Sequence, residues 1–112
     1  MNHIEKISQI ERIKHMEQNM NDVSEALKAL DEALGKYAGV QEQLRELSGY
    51  YGSEEWFGDF DDDGAGKLPP DLRRGVLSED GVYNLLMENR RLLDWMQELV
   101  VDCEPNWHGH IK

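Results

Sequence analysis

The sequence predicts an all-α protein: a long antiparallel helical hairpin with an ordered acidic-aromatic connecting loop, dimerising as a four-helix bundle. Three observations carry this. Apolar residues Met16, Met20, Val23, Leu27, Leu30, Leu34 and Tyr37 recur in alternating steps of four and three, which is a heptad pattern. A second stripe runs through Val82, Leu85, Leu86, Asn89, Leu92, Leu93, Met96, Leu99 and Val100. Between them lies a stretch rich in Gly, Pro and Asp that also carries Trp56, Phe57 and Phe60, too apolar for a free linker.

The first helix is expected over about residues 4–48. Upstream of the heptads, Ile4, Ile7, Ile10 and Ile13 extend the face in steps of three. Ala26 and Ala33 flank the seam and widen it, which suits a bundle better than a two-stranded coil. Glu25–Lys28 and Glu32–Lys36 stand at helical spacing and add slight support. The phase slips near Tyr37, where Val40, Leu44, Leu47 and Tyr51 follow after a step of three. Gly35 and Gly39 bracket the slip, each costing a helix about 1 kcal/mol relative to Ala. A bend or local overwinding is expected there, in preference to a full break.

Residues 49–77 are expected to be irregular, with one short helix. Ser53 can cap a turn through Glu54, Glu55, Trp56, Phe57 and Phe60. Asp61 to Gly66 has turn composition, and Asp71 to Arg74 can form one turn ended by Gly75. The last helix is expected over about 79–103, with Ser78 as N-cap, Leu77 and Val82 as a hydrophobic staple, and Glu104-Pro105 as its end. Residues 1–104 are thus read as a single helical domain and 105–112 as a flexible tail.

Length implies assembly. A helix over 4–48 is about 67 Å long and one over 79–103 about 37 Å, so the second shields only half of the first. A bare apolar stripe of that size is rare in monomers, which makes a homodimer the expected state. Met16, Met20, Val23 and Leu27 are the candidate interface residues on this helix, and Trp56, Phe57 and Phe60 those of the loop.

Residues 50–96 resemble a known family. Tyr50-Tyr51-Gly52-Ser53-Glu54-Glu55-Trp56, Gly66-Lys67-Leu68-Pro69 and Gly75-Val76-Leu77-Ser78-Glu79-Asp80 are similar to the wording of the domain-of-unknown-function family numbered 4298, and the helix ending ALDEALGKYAGVQEQLRELSGYYGS fits it too. The likeness extends over roughly 5–100. It implies a small, mostly helical bacterial protein and carries no activity with it.

Chemistry is sparse. Asp59, Asp61, Asp63 and Gly64 match the first half of an EF-hand calcium loop, making the three aspartates weak metal candidates. The second half fails: the ninth position is Lys67 and the twelfth, where a bidentate Glu belongs, is Pro70. An acidic turn facing Lys67, Arg73 and Arg74 is the plainer reading. His108 and His110 lie two apart on the tail with no fixed geometry. Cys103 stands between Asp102 and Glu104, which disfavour its thiolate. No Gly-rich phosphate loop and no nucleophile with an adjacent base is present, so no enzyme, no cofactor and no small-molecule substrate is expected.

The net charge is −11, with hydrophobic residues at 39% and charged ones at 31%. Residues 53–63 hold six acids and no base. That balance argues against direct contact with nucleic-acid phosphates or anionic lipid. No apolar run approaches the roughly 20 residues that span a membrane, and the N-terminal stretch lacks a signal-peptide core. One cysteine excludes an internal disulfide, so a cytoplasmic location is expected. The expected function is a non-catalytic protein–protein interaction or scaffolding module. The alternatives are an acidic decoy for a basic, nucleic-acid-binding protein and a divalent-ion module using the acidic loop.

Overall fold

The structure is a computed structural model that describes residues 2–103. Those residues form four α-helices and one 3-10 turn: α1 His3–Gly39, α2 Gln41–Tyr50, α3 Glu54–Gly64, the turn Gly75–Leu77, and α4 Gly81–Asp102. There is no strand among them, so the all-α class holds. They fall into two compact units, one up to Glu42 and one from Gln43 onward, each taken by itself below. The expected tail, 105–112, lies outside the described residues.

The first unit is dominated by α1. Its start is fixed by a capping box between Asn2 and Glu5. The Asn2 side chain accepts from the Glu5 amide at 2.8 Å, and the Glu5 carboxylate accepts from the Asn2 amide at 3.4 Å. The helix then runs 37 residues, about 55 Å, and buries none of them.

The phase slip is resolved by a break, where a bend within one continuous helix was expected. Helix α1 stops at Gly39. Val40 adopts φ −107° and ψ 11°, and its amide turns to the Tyr37 carbonyl at 3.3 Å. The Gln41 side chain donates to the same carbonyl at 2.8 Å, supplying a partner that the ended helix no longer provides. The next helix, α2, has its own register, with Gln41, Leu44, Leu47 and Tyr50 half-buried at steps of three.

The second unit is organised around Trp56, Leu77 and Val82, the buried hydrophobics of the described chain. Gly52, at φ 80°, turns the chain out of α2 in a conformation that a side chain resists. Ser53 then caps α3, its hydroxyl accepting from the Trp56 amide at 3.2 Å. Thus α3 extends to Gly64, and the segment expected to turn from Asp61 onward is helical up to that point. Its end is a Schellman motif: the Lys67 amide reaches the Asp62 carbonyl at 2.9 Å and the Gly66 amide the Asp63 carbonyl at 3.1 Å. Gly66 sits at φ 73°, the left-handed conformation this motif needs. The glycine that turns the chain is therefore Gly66, two residues after the one a calcium loop would use.

Gly75 opens the 3-10 turn instead of ending an earlier one. Helix α4 begins at Gly81, two residues later than expected. Ser78 still serves its start: its hydroxyl accepts from the Gly81 amide at 3.0 Å and donates to the Gly75 carbonyl at 2.8 Å. Along α4, Val82 is buried and Leu86, Asn89, Leu92, Leu93 and Met96 are half-buried. Leu85, Leu99 and Val100, expected in the same stripe, are exposed. Exposed pairs Arg90–Asp94 and Arg91–Glu88 follow helical spacing and contribute a few tenths of a kcal/mol each.

Candidate interaction surfaces

The acidic string Asp59-Phe-Asp-Asp-Asp-Gly64 is the C-terminal half of α3, and this changes what its carboxylates can do. On a helix, alternate residues diverge, whereas a calcium loop curls them inward. Asp59 accepts from the Tyr50 hydroxyl at 2.5 Å. Asp63 pairs with the Arg74 guanidinium at 2.7 Å, and Asp62 faces Lys67 at 3.9 Å. Asp61 lines the aromatic cleft described below. Among the described residues no three His, Cys, Asp or Glu side chains converge where an ion could be held.

Acids in the last turns of a helix oppose its dipole, so the cations opposite them have a structural task. Arg74 performs it. One guanidinium nitrogen binds Asp63 and another the Pro69 carbonyl, while Nε donates to the Leu72 carbonyl at 3.3 Å. One side chain thereby closes the segment between α3 and the 3-10 turn. The sequence placed Arg74 opposite the acids, but its particular partner Asp63 and the Tyr50–Asp59 bond were not legible, because these partners lie 11 and 9 residues apart across turns.

The Tyr50–Asp59 contact has a titration signature. The carboxylate accepting its proton holds the Tyr50 hydroxyl in the neutral form, and its pKa is pushed up to about 12 from the usual 10. A folded-state value above the unfolded one contributes stability that is fully present below pH 10 and lost as pH rises through 12. Ultraviolet titration of the tyrosines should accordingly show one of the four ionising late, near pH 12. Asp59→Ala should return that tyrosine to the ordinary range. A wild-type curve in which every tyrosine ionises near pH 10 would contradict the contact.

Trp56 is the centre of the aromatic group. Its ring meets Tyr51 and Phe57 edge-on, with centroids at 5.1 Å in both cases, and stacks on Phe60 at 5.2 Å. Its indole N–H donates to the Val76 carbonyl at 2.8 Å, and the Tyr51 hydroxyl donates to the Glu79 carbonyl at 3.1 Å. Trp56 is buried at 7% exposure, so its surface is spent on packing the loop. Phe57, at 56%, is the exposed member, and it borders an open cleft of about 620 Å³ edged by Asp61 and Glu79.

On α1 the seam residues Met16, Met20, Val23 and Leu27 are 56%, 64%, 57% and 59% exposed. Ile13, Leu30 and Leu34 continue the same face, also exposed. Met20, Val23 and Leu27, with Asn19 and Ser24 at the sides, line a shallow groove of about 470 Å³. The four heptad residues named from the sequence thus fall on one continuous face. The three loop aromatics form a separate cluster within the second unit. No described helix is long and apolar enough to cross a membrane.

Comparison with known proteins adds one finding. No curated protein and no solved structure matches the chain. One family model matches, described as a domain of unknown function (DUF4298), over residues 13–99. That span opens at the first seam isoleucine, takes in α2, the aromatic cluster, the Arg74 clasp and the Ser78 cap, and closes near the end of α4, so this chain belongs to the DUF4298 family.

Proposed function

We propose that this chain is a non-catalytic protein–protein interaction module that self-associates through the apolar face of α1. The observation that carries the reading is a helix of 37 residues with no buried side chain, displaying large apolar residues from Ile4 to Leu34. Water-exposed stripes of that extent mark docking faces in folded proteins. Covering the exposed halves of seven seam side chains contributes about 5–10 kcal/mol per copy, given roughly 1.5–3 kcal/mol for a whole side chain. Taken over two copies, that is of the same order as the association cost of about 4–15 kcal/mol, so burial of this face can offset the entropy lost on pairing.

The side chains of the second unit support a scaffolding role over a chemical one. Asp59, Asp62 and Asp63 are engaged by Tyr50, Lys67 and Arg74, which weakens the ion-module alternative. The lone Cys103 is exposed and unpaired, in keeping with a cytoplasmic setting.

Sedimentation equilibrium at tens of micromolar should return twice the chain mass for the wild type. Leu27→Glu places a charge in the middle of the seam and should weaken pairing at least a hundredfold, leaving a monomer at the same concentration. A wild-type chain that sediments as a monomer there would refute the proposal.

A further inference from the structure

We infer that the occupant of the α1 face is a second copy of α1 lying parallel and in register, oriented by reciprocal pairing of Arg12 with Glu17. This rests on the self-association reading and adds to it the direction of the partner.

The seam residues assign the heptad. Ile13, Met20, Leu27 and Leu34 take the first core position, and Met16, Val23, Leu30 and Tyr37 the second. The positions flanking the core are then Arg12, Asn19, Ala26 and Ala33 on one side and Glu17, Ser24, Asp31 and Ala38 on the other. Flanking charges set partner choice and direction in such helices. In a parallel pair each flanking residue meets the one five places on in the second copy. Arg12 then faces Glu17, Asn19 faces Ser24, Ala26 faces Asp31 and Ala33 faces Ala38. The ion pair occurs twice by symmetry, and no like charges meet.

An antiparallel pair using the whole seam is centred near residue 25. It brings Glu17 of one copy against Asp31 of the other, twice, and leaves Arg12 without an acid. Sliding by one heptad relieves that repulsion but strips two core positions, Ile13 and Met16 at one end or Leu34 and Tyr37 at the other. Parallel register therefore keeps every layer and both ion pairs. The groove at Met20, Val23, Ser24 and Leu27 is the four-residue hole into which a facing side chain fits in such packing.

The test uses the full chain with Cys103→Ser, so that the exposed native thiol does not interfere. Leu34→Cys alone should oxidise to a covalent dimer, because a parallel pair sets the two positions face to face within disulfide reach. Leu30→Cys should do the same, which guards against one variant being misfolded. In the antiparallel pair the two copies of position 34 are about 27 Å apart, and Leu34→Cys should instead cross-link only when mixed with Met16→Cys. Arg12→Glu should weaken the dimer about three- to tenfold, and Arg12→Glu with Glu17→Arg should restore it. Cross-linking of the mixed pair alone, or of neither while the wild type is dimeric, overturns the parallel register and leaves self-association standing. A monomeric wild type in sedimentation removes the reading beneath it as well.

Discussion

Trp56→Ala is expected to lower stability by about 3–5 kcal/mol, the largest effect of any single change in the second unit. The described chain buries three hydrophobic side chains, and Trp56 is by far the biggest. Its removal empties the space between Tyr51, Phe57 and Phe60 and leaves the Val76 carbonyl without its indole donor. Few neighbours are available to collapse into that space, so most of the cavity cost remains. Small domains hold about 5–15 kcal/mol in total, so the variant should approach unfolding of this unit at room temperature. Trp56→Phe separates the two contributions. It keeps most of the buried area but loses the bond to Val76, and should cost about 1–2 kcal/mol. Urea denaturation followed by circular dichroism measures both, and amide exchange at Leu77 and Ser78 locates the loss. If pairing resides in α1, Trp56→Ala should still sediment as a dimer. A denaturation midpoint equal to that of the wild type would show that the aromatic group is not the core.

How much of this was legible depends on the kind of residue. The heptads from Met16 to Tyr37 could be read directly, because a repeat of four and three has one structural meaning. The slip at Tyr37 was legible as a slip. Its outcome was not, since bend, overwinding and break differ by little more than the choice of partner for the Tyr37 carbonyl, and Gln41 decides that locally. Asp59 to Gly64 misled for a physical reason. Aspartate is a poor helix former and is unfavourable near a helix C-terminus, so a run of it reads as a turn. What overrides propensity is tertiary: the Ser53 cap, burial of Trp56 and half-burial of Phe60 on one face, the Gly66 turn, and Arg74 and Lys67 opposite the charge. The two tyrosines were unreadable as functional partners for another reason. Tyr50–Asp59 and Tyr51–Glu79 are bonds between segments, and composition carries no trace of them.

The surface on α1 and the cluster around Trp56 also differ in what their exposure means. Aromatic residues in an acidic loop suggest a docking face, yet Trp56 is consumed by the fold and Phe57 alone remains largely open. On α1 the reverse holds, since every seam residue from Ile13 to Leu34 stays exposed. Regular spacing without burial points outward, to a partner. Irregular spacing with burial points inward, to the core.

Gly81 carries the other large effect, and its sign opposes the usual rule. Replacing a helical glycine by alanine ordinarily stabilises by about 0.5–1 kcal/mol, since glycine loses more backbone freedom on folding. At Gly81 a Cβ would lie 2.5 Å from the Ser78 hydroxyl oxygen and 2.7 Å from the Gly75 carbonyl oxygen. The first neighbour could rotate, but only by giving up its bonds to Gly81 and Gly75. The second is backbone, held in the 3-10 turn that also presents Val76 to Trp56. Gly81→Ala should therefore destabilise by about 1–3 kcal/mol, as overpacking does. Ser78→Ala alone should cost about 1 kcal/mol through the lost cap. The double variant should be less damaged than the sum of the two, because removing the hydroxyl removes one of the clashes. Thermal melts of the three variants test this as a cycle. Should Gly81→Ala melt above the wild type, the close approach of the 3-10 turn to the start of α4 would be wrong, and with it the way this turn delivers the Val76 carbonyl to the indole.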